Sequence, residues 1–216
     1  MSGVALIVIA KAPVPGRCKT RLCPPCTHAQ AAALAAAALE DTLAAVAAAP
    51  AGRRVLALEG EPGPWVPPAF EVVPQVPGGL GERLAGAFDA VGGPALLIGM
   101  DTPQVTRTSL AFAAATLEHA GVDAVLGGTP DGGYWTIGLR RPDPRVFEDV
   151  PMSSARTARA QRMRLHALGL RWRQLEPLRD VDTIDDACAV AAIAPRSRFA
   201  RVLSGLALDF ERARTA

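Results

Sequence analysis

Apolar and polar positions alternate in blocks along this chain, and the blocks predict alternating strands and helices. Val4–Ala10 is a continuous apolar run, the pattern of a strand buried on both faces of a parallel sheet. Thr27-His28-Ala29-Gln30 reads as a capping box opening an Ala/Leu helix of about twenty residues. Further strands are predicted at 53–59, 70–74, 94–99, 123–127, 134–139 and 171–176. Helices are predicted at 82–91, at 106–119, from Ser153 or Ser154 to about Leu168, near 184–193, and at 197–212. The last of these carries Phe199, Val202, Leu203, Leu206 and Phe210 on one face, for packing on the sheet or for a dimer seam. Strands alternating with helices predict an α/β fold with a mainly parallel sheet, and 216 residues without a repeat predict one domain.

Composition narrows the partners. The net charge of +2 carries no nucleic-acid signature. The apolar stretch 31–49 is interrupted by Glu40 and Asp41, so no membrane span is expected, and the short first apolar run lacks a signal-peptide pattern. A soluble, cytoplasmic protein is the expectation. Cys23-Pro-Pro-Cys26 has redox or zinc spacing, but a second pair is missing, and free thiols are the simpler reading.

The basic residues are almost all arginines; the two lysines of the chain, Lys11 and Lys19, both lie in the loop after the first strand. That loop also carries Arg17 and Arg21 and is shaped by Pro13, Pro15 and Gly16. A compact ammonium is a different tool from a planar guanidinium. Placed beyond the carboxyl end of a strand, where open α/β sheets bind ligands, the loop points to phosphate. The alternative is a solvated basic turn. It lacks the Walker A spacing.

Carboxylates are expected at the same edge. Asp101 follows a buried strand and could supply a Mg²⁺ ligand, or be a turn or capping Asp. Asp180 and Asp182 share a face in extended backbone and read as a metal pair; Asp182 as an N-cap is the alternative. Asp131-Gly132-Gly133-Tyr134 is either a hairpin turn or a substrate contact. Gly81-Glu82-Arg83 opens a helix whose N–H groups could meet an anion or a base edge. The arginines between 156 and 173 read as a solvated face, or second as a site for an anionic acceptor or lipid phosphate.

Taken together, the motifs Ala10-Lys11-Ala12-Pro13-x-Pro15-Gly16-Arg17-x-Lys19-Thr20-Arg21-Leu22, Gly79-Leu80-Gly81-Glu82-Arg83, Ile98-Gly99-x-Asp101-x-Pro103, Asp131-Gly132-Gly133-Tyr134-x-x-Ile137-Gly138-Leu139 and Arg179-Asp180-Val181-Asp182-Thr183 resemble the bacterial DUF2064 family over about residues 3–188. That family is glycosyltransferase-like and cofactor-guanylyltransferase-like, within the nucleotide-diphospho-sugar transferase superfamily of GT-A fold; 2-phospholactate guanylyltransferase is the nearest functional analogue. The resemblance implies a three-layer α/β/α domain. It implies nucleotide phosphates on Ala10, Lys11, Ala12, Gly16, Arg17, Lys19, Thr20 and Arg21, with Gly81 and Arg83 completing the nucleotide site. It implies Lys11, Lys19 and Asp101 as catalytic residues, Mg²⁺ or Mn²⁺ on Asp101, Asp180 and Asp182, and acceptor contacts at Asp131, Gly132, Gly133 and Tyr134. Met152-Ser153-Ser154 stands where family members commonly carry Trp-Ser-Thr, which leaves acceptor recognition open, and Cys18, Cys23 and Cys26 are unusual there. The expected activity is nucleotidyl transfer from an NTP to a small phosphorylated or carboxylated acceptor. Glycosyl transfer from an NDP-sugar and a non-catalytic nucleotide-binding module are the alternatives, and a homodimer is a further expectation.

Overall fold

The computed structural model describes residues 3–206. The first apolar run becomes β1 (Ala5–Lys11), and the Thr27 capping box opens α1 (His28–Ala48). In that box Thr27 N–H donates to Gln30 Oε1 at 2.8 Å and Gln30 N–H donates to Thr27 Oγ1 at 3.2 Å. There follow β2 (Arg54–Glu59), β3 (Glu71–Pro74), α2 (Leu80–Val91), β4 (Ala95–Gly99) and α3 (Arg107–Glu118). The second half contains β5 (Ala124–Gly128), β6 (Tyr134–Leu139), α4 (Thr157–Ala167), β7 (Trp172–Leu175), α5 (Ile184–Ile193) and α6 (Arg198–Ser204).

All seven strands join one sheet in the order β3-β2-β1-β4-β6-β5-β7, and only β6 runs against the rest. Side chains of successive strand residues leave opposite faces, so Leu6 and Val8 enter one core and Ile7 the other. On the first face lie α1 and α3, with Leu39, Leu43, Leu110 and Leu117. On the second lie α2, α4 and a 3₁₀ turn at Pro144–Phe147, where Phe88 and Phe147 stack at 5.8 Å. The α/β/α arrangement is that expected from the sequence.

By length and composition α1 could cross a membrane, yet it is enclosed by protein: Leu39 and Leu43 meet the sheet, while Leu34 and Ala38 meet α5 and α6. Burial on two sides explains why its apolar positions spread around the axis instead of forming one stripe. The face of α6 carrying Phe199, Val202 and Leu203 packs on α1 and α5 and not on the sheet. Asp41 of α1 accepts the Arg198 and Phe199 N–H groups, satisfying donors that a helix start leaves free. The predicted extension of this helix to 212, with Phe210, lies outside the described residues beyond Leu206.

One boundary differs from expectation. Neither Ser153 nor Ser154 is the N-cap of α4, which begins at Thr157. The Thr157 hydroxyl donates to the Pro151 and Ser154 carbonyls at 2.7 Å, so the serines form a separate turn ahead of the helix. That turn lies over Gly132, whose φ of +93° and missing Cβ admit the Ala155 carbonyl.

Gly127 matters in the same way: a Cβ there would run into the Trp135 indole, whose Nε1 donates to the Glu176 carbonyl at 3.0 Å. Gly127→Ala is expected to lower stability by about 1–3 kcal/mol through overpacking. Gly128→Ala, where a Cβ meets only ordinary contacts, should remain near wild type. Urea unfolding of both variants checks the contrast; equal stability of the two would contradict it.

Candidate functional site

The chain leaves β1 for β2 and β3 on one side and returns to β4 on the other, so the strand order reverses between β1 and β4. Open α/β sheets form their ligand crevice at such a point, outside the carboxyl ends of the strands. Lys11 ends β1, Glu59 ends β2, and Asp101 follows β4 by two residues. A cavity of about 690 Å³ opens here, lined by residues that include Lys11, Arg21, Gln75, Arg83, Asp101, Asp131, Tyr134, Met152, Asp180 and Asp182. A second of about 250 Å³ adjoins it and is lined by the basic loop, including Arg17, Lys19 and Thr20.

The acidic wall is assembled by backbone pairing. Val181 is buried, and its N–H donates to the Asp101 carbonyl at 2.9 Å. Leu178 N–H donates to the Gly128 carbonyl at 3.2 Å. These bonds draw the segment after β7 across the ends of β4 and β5. With Val181 pointing inward, Asp180 and Asp182 take the other face. One carboxylate oxygen from each of Asp131, Asp180 and Asp182 lies within 4.8 Å of the others. The hairpin turn holds Asp131 in place, because its Oδ1 accepts the Gly133 N–H at 2.8 Å and the Thr129 hydroxyl. Burial, with the charges of Asp131 and Asp182, pushes the Asp180 carboxyl up to about 6. Crowded, partly desolvated carboxylates of this kind suit a hard divalent cation bound through oxygen.

The basic wall is divided. Lys11 Nζ lies 3.3 Å from Glu59 Oε2, and Arg83 donates to the same oxygen. Burial alone would push the Glu59 carboxyl up, but the hydrogen bonds and charges of Arg83 and Lys11 together outweigh it and hold the group below the usual range. Arg21 reaches Asp182 Oδ2 at 2.9 Å with its side chain 73% exposed, and Arg17 is exposed. Lys19 behaves differently. Its side chain is only 9% exposed, and its ammonium lies 2.9 Å from Asp101 Oδ2 and 3.1 Å from Asp182 Oδ1. Burial alone would pull its pKa down; Asp101 and then Asp182 outweigh that and hold it above the ordinary lysine value. Expected as a phosphate ligand, Lys19 instead faces two carboxylates.

The remaining expected residues spread around this centre. Ala10, Gly133 and Tyr134 line the main cavity with Asp131, and Tyr134 OH contacts Met152 Sδ at 3.8 Å and Gln161 Oε1 at 3.3 Å. Gly81 lines a separate hollow between α2 and the 3₁₀ turn. Ala12, Gly16 and Gly132 line none of the three cavities. Asp182 is not the cap of α5, since Thr183 is, and Thr106 rather than Asp101 caps α3. Glu59 escaped the sequence reading; its place at the carboxyl end of the second strand was the available signal. The cysteines are free, and burial raises the pKa of Cys18, Cys23 and Cys26.

Because the folded state binds the Asp180 proton more tightly than the unfolded chain does, ionised Asp180 costs stability at neutral pH and above. Asp180→Asn should therefore stabilise the metal-free protein at pH about 7.5 by on the order of 1 kcal/mol after solvent screening, a Tm rise of about 2–4 °C. The gain should vanish below pH about 4, where the acid is protonated in both states. A lower Tm for the variant at neutral pH would contradict this assignment.

Comparison with known proteins adds a lineage to the geometry. The family model "Uncharacterized protein conserved in bacteria (DUF2064)" matches residues 31–154. No curated protein matches the chain. A crystal structure from Desulfovibrio desulfuricans, provisionally assigned as a nucleotide-diphospho-sugar transferase, superposes with a TM-score of 0.84 at 26% identity, covering 94% of this chain and 95% of that one. A nucleotidyl transferase from Methanothermobacter thermautotrophicus superposes at 0.58 with 16% identity, over 90% of this chain and 99% of that one. The 2-C-methyl-D-erythritol 4-phosphate cytidylyltransferase of Thermus thermophilus gives 0.53 with 17% identity, over 90% of this chain and 100% of that one. These last two likenesses establish a shared fold. The basic loop and the Asp180–Asp182 segment lie outside the span matched by the family model.

Proposed function

The chain belongs to the bacterial DUF2064 family, and from that premise and its site we propose that it is a nucleotide-utilising transferase that moves a nucleotidyl group from an NTP to a small phosphorylated or carboxylated acceptor, with release of pyrophosphate. The observation that carries this reading is the pairing of walls across one cavity at the sheet's switch point. Lys11 and Arg83 line the cavity together with Asp131, Asp180 and Asp182, and Arg21, bonded to Asp182, joins the two groups. Cations suit a triphosphate, and the carboxylates suit the divalent ion that accompanies it.

In this reading Lys11, Arg17, Arg21 and Arg83 bind the phosphates, and Glu59 holds Lys11 and Arg83 toward one another until the nucleotide arrives. An acceptor oxygen attacks the α-phosphorus. The bond from that phosphorus to the bridging oxygen breaks, and pyrophosphate leaves with the electron pair. Lys11 stabilises negative charge developing on the α-phosphoryl oxygens by electrostatic preorganisation. Mg²⁺ or Mn²⁺ on Asp180 and Asp182, with Asp131 or Asp101, would neutralise phosphate charge and orient the reactants. The acceptor occupies the end of the cavity near Gly133, Tyr134, Met152 and the Ser153–Ser154 turn.

A glycosyl transfer reading is favoured by one observation, the similarity to the Desulfovibrio protein. There the bond would break at the sugar carbon and NDP would leave. The four exposed or half-buried cations of the basic wall favour a triphosphate over a diphosphate. Analysis of products separates the two: incubation with Mg²⁺, nucleotide and pools of phosphorylated or carboxylated acceptors should release pyrophosphate from an NTP. Release of NDP from an NDP-sugar, without pyrophosphate from any NTP, would replace the first reading with the second. Once the substrate is identified, Lys11→Ala should lower kcat by about 10²–10³; unchanged turnover would remove Lys11 from the mechanism.

A further inference from the structure

Lys19 is the one cation of the basic loop turned away from solvent, and nothing in phosphate binding explains where its charge goes. Its ammonium lies between Asp101 Oδ2 and Asp182 Oδ1, at 2.9 and 3.1 Å. Its backbone adopts the left-handed conformation, φ 49° and ψ 38°, uncommon for a residue with a side chain. Asp182 is also one of the three acids whose oxygens gather within 4.8 Å. The same carboxylate therefore serves an internal cation and the place where a divalent cation would bind.

From this geometry we infer that Lys19 is a positioning residue acting through Asp182 and Asp101: its ammonium takes up part of their charge and holds the affinity of the adjacent acidic site for a divalent cation low enough for exchange. The inference rests on the reading that Asp131, Asp180 and Asp182 hold such a cation. Four acids, Asp101, Asp131, Asp180 and Asp182, border the site; Lys19 offsets one of their charges at direct contact from inside, and the exposed Arg21 meets Asp182 from the solvent side. A metal ion approaching Asp182 competes with Lys19 for Oδ1. Without that competitor, Asp182 Oδ1 is free to ligate while Oδ2 stays with Arg21, and the site gains one net negative charge. A residue with a merely structural role would act in the opposite direction, because disordering its surroundings weakens metal binding.

The test is Mn²⁺ binding by the full chain, without nucleotide, followed by the electron paramagnetic resonance of free Mn²⁺. Lys19→Met is expected to bind Mn²⁺ about tenfold or more tightly than wild type, from the loss of a neighbouring positive charge. Its metal-free Tm should fall, and saturating Mn²⁺ should restore most of the loss. Lys19→Arg, which retains the charge, should bind as wild type does. If Lys19→Met does not fold, Lys19→Gln keeps a hydrogen-bond donor without the charge and carries the same expectation. Unchanged or weaker Mn²⁺ binding in the neutral variants, beside a wild type that binds, would overturn the role of Lys19 alone. Absence of Mn²⁺ binding in the wild type and in every variant would overturn the metal site and this inference together.

Discussion

A buried ammonium shared by two carboxylates is the interaction on which the rest of this site depends. Lys19 comes from the loop after β1, Asp101 from the end of β4, and Asp182 from the segment after β7. Three segments distant in sequence are tied at one point. Removing one partner of such a pair leaves an uncompensated charge in a poorly solvated place, which is strongly destabilising. The bridge therefore fixes the spacing of the two walls, and the exposed cations and acids act from a frame that it sets.

That frame stands where it does because of the sheet. Parallel strands deliver their carboxyl ends to one edge, and reversal of strand order between β1 and β4 opens a crevice there. Four wall residues inherit their places from strand ends, Lys11 from β1, Glu59 from β2, Asp101 from β4 and Asp131 from the β5–β6 turn, while Arg83 comes from α2 and Arg21 from the loop after β1. Backbone bonds from Val181 and Leu178 then carry the last acids across the edge. The antiparallel β6 contributes differently, bringing Tyr134 and Trp135 to the cavity from its start.

Much of this frame was legible in the sequence because it depends on short-range rules. Buried strands announce themselves as apolar runs, and the Thr27–Gln30 box needs only four residues. The strand-end positions of Lys11 and Asp101 follow from the same runs. What could not be read depends on contacts between distant segments. Asp131 joins Asp180 and Asp182 only after β5, β6 and β7 pair. Sequence sets the two lysines apart from the loop arginines, but Lys19 is distinguishable from Lys11 only once the Asp101 and Asp182 carboxylates are in place. The Ser153–Ser154 turn resembles a helix start in sequence, yet the Ser154 hydroxyl accepts the Arg156 N–H inside the turn and α4 begins only at Thr157. The linking role of Glu59 is hidden for the same reason, since Arg83 lies 24 residues away.

The proposed activity requires that the basic and acidic groups of this crevice together accept a nucleotide with a divalent cation. Thermal denaturation against the four common NTPs and a set of NDP-sugars, each with and without Mg²⁺, tests it most directly, since a ligand that binds only the native state raises Tm. A Mg²⁺-dependent rise with at least one NTP, larger than that with the matching NDP-sugar, is expected. No shift with any nucleotide, with or without Mg²⁺, would contradict it.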